Sequence, residues 1–150
     1  MMFTALVAAA LVTGQTEPSP SDVKTVIDYY YGGSKMVLFN AYLCKTIEKK
    51  DKDTKNDCKE TFGSTADKGE RAYVYLSAMV PRTMKSNVMI QASHNGVVRA
   101  TKDIVLAGNW IRSRAWRGFT LRKPGSWEFK ILDDQGSTLK RLSIEVPDGP

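Results

Sequence analysis

Histidine is almost missing from this chain: its 150 residues include one, His94. Acid-base catalysis and metal ligation by histidine need positioned partners, so a single histidine beside a turn reads as a turn residue. No G-x-S-x-G elbow, H-E-x-x-H helix or glycine-rich phosphate loop occurs, which excludes the hydrolases, metalloproteases and nucleotide enzymes that carry those motifs. On these grounds no catalytic residue, metal ligand or cofactor is assigned. Cysteine is scarce too. Cys44 and Cys58 have thirteen residues between them, which excludes the C-x-x-C metal and redox motifs. The longest apolar run, Phe3 to Val12, is far short of the ~20 residues a membrane-spanning helix needs, so no transmembrane segment is expected. N-x-Ser/Thr sequons and internal repeats are also lacking. The acids Asp51, Asp53 and Asp57 resemble a calcium loop only in part: Asn56 stands where glycine is needed and Phe62 where the bidentate glutamate belongs.

What is present describes an ordinary folded domain. Charged residues make up 25% and apolar residues 42%, which excludes disorder over the whole length. The formal net charge is +6, and its placement is uneven. Arg99, Lys102, Arg112, Arg114, Arg117, Arg122 and Lys123 face a single acid, Asp103, between positions 99 and 123, so the remainder of the chain is neutral. A local positive field of this kind suits an anionic partner, although solubility alone also accounts for a moderate excess. At the N-terminus the run Phe3 to Val12 precedes the small residues Thr13 and Gly14, the pattern of a signal peptide spanning residues 1–14 and cut after Gly14. No Lys or Arg precedes the run, and a short buried helix or strand is the other reading. Export to the periplasm or the medium would oxidise Cys44 and Cys58 to a disulfide closing the polar loop from Lys45 to Lys59, whereas a cytosolic chain would keep two thiols.

Residues 15–33 read as a Pro/Ser/Thr linker followed by a short helix capped by Ser21, with Val23, Val26, Ile27 and Tyr30 at helical spacing and Gly32-Gly33 as its end. The aromatic run Tyr29-Tyr30-Tyr31 reads as packing. From residue 34 to 150 the periodicity is that of strands. Extended segments are predicted over Met36–Cys44, Arg71–Val80, Asn87–Ser93, Val97–Ala107 and Trp110–Leu121, then through Trp127, Phe129 and Ile131 and through Leu142, Ile144 and Val146. Asn95-Gly96 predicts a type I′ hairpin turn. Six or seven strands joined by tight turns predict a mostly β protein, an antiparallel immunoglobulin-like β-sandwich with a short N-terminal helix, and a small barrel is the alternative.

The stretches "HNG", "IVLAGNWIRSRAW" and "LRKPGSWEFKILDDQGSTL" resemble a bacterial domain family of unknown function found outside the cytoplasmic membrane. His94, Trp110, Arg112, Gly125, Trp127, Asp133 and Gly136 occupy the family's marked positions. The chain departs in having Asn95-Gly96 where the family places a tryptophan two residues after the histidine. The resemblance spans the last third of the chain and implies fold and compartment rather than an activity.

The candidate binding residues are Trp110, Arg112, Arg114 and Trp116, which period-two geometry places on one face of a strand. Two rings flanking two guanidiniums suit phosphate, sulfate or carboxylate groups, while a ladder of arginine stems covering the rings is the structural alternative. The expected function is that of an exported, non-catalytic module recognising an anionic envelope polymer or a protein partner, with nucleic acid not expected. The alternatives are an envelope hydrolase whose carboxylates are assembled by the fold, and a structural subunit pairing through a sheet edge.

Overall fold

The computed structural model describes residues 18–31, 36–48, 57–81, 84–108 and 113–149. The leader expected over residues 1–14, the side chains of Tyr29, Tyr30 and Tyr31, the acids Asp51 and Asp53, and the candidate residues Trp110 and Arg112 lie outside that description.

A single helix precedes the strands among the described residues: α1, Pro20–Tyr31. Its cap is Ser19 rather than Ser21. The Ser19 hydroxyl oxygen accepts from the Asp22 amide at 3.1 Å, and the Asp22 carboxylate accepts in return from the Ser19 amide at 3.2 Å. This reciprocal box leaves Pro20 at the first helical position, where its missing N–H costs nothing. No described helix is long and apolar enough to cross a membrane.

The body is a β-sandwich of two antiparallel four-stranded sheets. One holds β1 (Val37–Glu48), β2 (Asp57–Thr61), β3 (Arg71–Met79) and β6 (Ser113–Thr120), in the order β2-β1-β3-β6. The other holds β4 (Lys85–His94), β5 (Val97–Ala107), β7 (Gly125–Leu132) and β8 (Thr138–Val146), in the order β5-β4-β7-β8. Two corrections to the sequence reading follow. β1 continues past Cys44 to Glu48, and Asp57–Thr61 forms a strand inside the stretch expected to be a polar loop. The reason is that neither face of this hairpin is fully buried, so it carries no period-two apolar signal. Its two strands are cross-linked by the Cys44–Cys58 disulfide, with Cα atoms 5.8 Å apart.

Alternation along the other strands decides the core. Ala72, Val74, Leu76 and Ala78 of β3 face Val88, Ile90 and Ala92 of β4 and Phe129 and Ile131 of β7, all of them buried. The predicted hairpin turn is present, with Asn95 and Gly96 both at positive φ (46° and 80°), the combination a type I′ turn requires.

Sheet edges are handled individually. The outer edge of β8 is covered by residues 64–66, since the Ala66 amide donates to the Glu145 carbonyl at 2.9 Å and the Glu145 amide to the Ser64 carbonyl at 3.1 Å. On the opposite side β5 and β6, edge strands of different sheets, reach across to each other. The Lys102 ammonium donates to the Gly118 carbonyl, and Arg117 Nε donates to the Asp103 carbonyl at 3.2 Å.

Candidate functional site

Of the four residues the sequence singled out, two are described. Arg114 and Trp116 pair with Ser77 and Tyr75 of β3, so they do share the outer face of their sheet, while Ser113, Ala115 and Arg117 take the inner one. Arg114 is only 16% exposed and sits 3.6 Å from the Asp57 carboxylate. The other oxygen of Asp57 accepts from the Tyr75 hydroxyl at 3.0 Å. Asp57 neighbours Cys58, so the disulfide that pins β2 also places the carboxylate between Tyr75 and Arg114. Arg114 is thereby tied into the sheet.

A strongly charged concavity lies elsewhere, on the side of the sandwich where β5 meets β6. A cleft of about 350 Å³ has Arg71, Arg99, Lys102, Arg122 and Lys123 in its lining, with Ala92, Ala100, Phe119 and Trp127 beneath them and no Asp or Glu. These cations come from three separate segments of the chain: the start of β3, the first half of β5, and the turn after β6. The register brings them together, because Arg71 pairs with Thr120 and the β4–β5 hairpin lies beside β7. Lys102 belongs to the inner face of its sheet, yet its stem runs over the Phe119 ring, with Nζ 4.8 Å from the centroid, to reach the Gly118 carbonyl. Snorkelling of this kind allows a lysine to stand at the rim of an apolar interior. Arg71 lies across Gly118 and over the Tyr73 ring at 5.6 Å. Arg99, Arg122 and Lys123 are exposed and have no carboxylate partner among the described residues.

The end of this cleft is rigid. His94 is buried, and its Nε2 donates to the Pro124 carbonyl at 2.7 Å, which fixes the ring proton on that nitrogen because a carbonyl can only accept. The Asn95 amide donates to the Ser126 carbonyl at 2.8 Å, and the Ser126 amide donates to Asn95 Oδ1 at 2.9 Å. Trp127 is 4.9 Å from the His94 ring and bonds the Lys123 carbonyl through Nε1 at 2.9 Å. The hairpin tip and the loop bearing Arg122 and Lys123 therefore form one clamped unit, built on the stacked floor of Trp127 and Phe129.

A second groove, of about 430 Å³, flanks the start of β1 and is lined by Met36, Phe39, Tyr42 and Leu139, with Lys140 as the charged residue of its lining. Neither groove gathers carboxylates. Among the described residues no group of three or more His, Cys, Asp or Glu could hold a metal ion.

The sequence reading identified the charged segment, but Arg71 escaped it. Its only signal is the strand register, which no local pattern carries.

No family model matches the sequence, and no curated protein does. Similarity to solved structures extends over parts of the chain. β-Glucosidase from Listeria innocua in complex with glucose is similar over 76% of this chain at 9% identity, with a TM-score of 0.48. Pseudomonas fluorescens alkylpurine DNA glycosylase AlkC bound to DNA containing an abasic site analog is similar over 57% of it at 20% identity, with a TM-score of 0.41. This chain spans 16% of the length of the first and 28% of the second.

Proposed function

We propose that this chain is an exported, non-catalytic β-sandwich module that binds an anionic component of the cell envelope through the cleft between β5 and β6. The observation that carries the reading is the convergence of Arg71, Arg99, Lys102, Arg122 and Lys123 on one concavity without a carboxylate in its lining. Like charges brought together by a fold repel, and a counter-charge from outside relieves that cost. Guanidinium groups give paired donors to phosphate, sulfate and carboxylate, and the apolar stems beneath them keep the site partly dry. The floor rings are covered, Trp127 being 6% and Phe119 5% exposed, so bases have no platform on which to stack. The Cys44–Cys58 disulfide supports an oxidising compartment, in keeping with export after cleavage at Gly14 and with the resemblance of residues 94–146 to extracytoplasmic domains. The lack of a carboxylate in either groove favours binding over the hydrolase alternative.

The test is binding to long-chain polyphosphate and to polygalacturonate by calorimetry. Replacing Arg99, Arg122 and Lys123 together with Gln is expected to weaken binding at least tenfold, with the melting temperature unchanged because all three side chains are exposed. Added salt is expected to weaken the wild type, since exposed charges are screened beyond about 8 Å at physiological ionic strength. Undiminished binding by the triple variant refutes the assignment.

A further inference from the structure

The cleft does not end in a polar rim. The hairpin that bounds it carries two consecutive valines, Val97 and Val98, which are 52% and 49% exposed. Val97 lies opposite His94 and Val98 opposite Ser93, so successive residues project to the two sides of the strand at its tip. Single exposed apolar side chains are ordinary on a protein surface. Here two adjoin Arg99 in the chain, and the bonds from His94 to Pro124 and between Asn95 and Ser126 tie the hairpin tip that bears them to the loop that carries Arg122 and Lys123. Residues 94–102 and 119–127 together contain Arg99, Lys102, Arg122 and Lys123 and no acid.

We infer that this end of the sandwich docks on an anionic lipid bilayer, with Val97 and Val98 entering the interface and Arg99, Arg122 and Lys123 meeting the headgroups. The inference rests on the anion-binding reading above and names its partner. A hydrated polyanion would be met by the charges alone, and two exposed valines would contribute nothing to holding it. A bilayer uses both: basic residues are drawn to its negative surface, and apolar side chains at the boundary of headgroups and acyl chains lose their contact with water. Each Lys or Arg near such a surface strengthens binding by about fivefold. Three of them with two valines give reversible rather than permanent attachment. The clamp supplies the rigidity, since both loops are fixed before contact and neither has to be ordered on docking.

The experiment is co-sedimentation of the full mature chain with vesicles of phosphatidylcholine containing 30% phosphatidylglycerol, and with vesicles of phosphatidylcholine alone. Polyphosphate binding is measured in parallel. The expected result is binding to the anionic vesicles at least tenfold tighter than to the neutral ones. The double variant Val97→Ser, Val98→Ser is expected to lose about tenfold in vesicle affinity while binding polyphosphate like the wild type. Val105→Ser, at the far end of the same strand and 62% exposed, is expected to bind vesicles unchanged, and melting curves establish that both variants are folded. Polyphosphate binding without vesicle binding overturns the membrane inference and leaves the anion-binding site standing. Binding to neither overturns both. Equal losses in the Val97/Val98 and Val105 variants overturn the placement of the contact at the hairpin tip.

Discussion

Gly125 is a position at which one methyl group would both strain the backbone and crowd the clamp at the end of the cleft. Its φ is +130°, and a Cβ there would lie 2.6 Å from Asn95 Oδ1 and 2.8 Å from His94 Nε2. Neither atom is free to retreat: His94 Nε2 is bonded to the Pro124 carbonyl at 2.7 Å, and Asn95 Oδ1 accepts from the Ser126 amide at 2.9 Å. Gly125→Ala therefore combines a backbone penalty of about 1–3 kcal/mol with weakening of two hydrogen bonds worth roughly 0.5–1.5 kcal/mol each. A total loss of about 2–6 kcal/mol is a large share of the ~5–15 kcal/mol that holds a domain folded. For a chain of this size the melting temperature falls by roughly 4–24 °C. Gly96→Ala is the matched comparison, because Gly96 also has a positive φ (+80°) but an added Cβ would meet nothing within 4 Å. It loses only the left-handed penalty, about 1–2 kcal/mol. Urea unfolding of both variants separates crowding from backbone strain, and polyphosphate binding by the Gly125 variant falls as the loop carrying Arg122 and Lys123 is displaced. Equal stabilities for the two variants would refute the reasoning, since the clamp would then carry no energy of its own.

Three further expectations concern the disulfide, Arg114 and the N-terminus. Non-reduced, denatured protein shows no free thiol by titration, and reduction of Cys44–Cys58 lowers stability by about 3 kcal/mol, as a closed loop of this size implies. Arg114→Gln costs about 1 kcal/mol through its partner Asp57 and leaves polyphosphate affinity unchanged; a fall in affinity would restore the outer face of β6 as the contact surface. Protein recovered from outside the cytoplasm begins near Gln15 by intact mass, and an intact Met1 on cytoplasmic protein refutes cleavage after Gly14.

Features carried by short-range chemistry were legible before any coordinates. Asn95-Gly96 dictates its turn by backbone preference alone, and the alternation of Trp127, Phe129 and Ile131 with Glu128 and Lys130 places the first three inside, where they are found. Strand β2 was not legible, because "DCKET" is polar on both faces and carries no period-two apolar signal. The candidate site shows the same division. Aromatic and basic residues adjacent in sequence drew attention to positions 110–116, whereas the cleft gathers residues from 71 to 127 that only sheet register makes neighbours. The charge excess marked the segment that supplies four of the five cations lining the cleft, and strand register brings Arg71 to them.

The exchange between β5 and β6 bears on how copies of this molecule behave toward one another. An edge strand invites addition of a foreign strand wherever its carbonyls are free. Here the Gly118 carbonyl is taken by Lys102 and the Asp103 carbonyl by Arg117, each cation turned inward from the edge opposite. An incoming strand would have to expel two charged side chains from these acceptors. The two residues therefore guard the open side of the sandwich against sheet-to-sheet growth, and crowding at a surface, where local concentration is high, is the circumstance in which such a guard matters most.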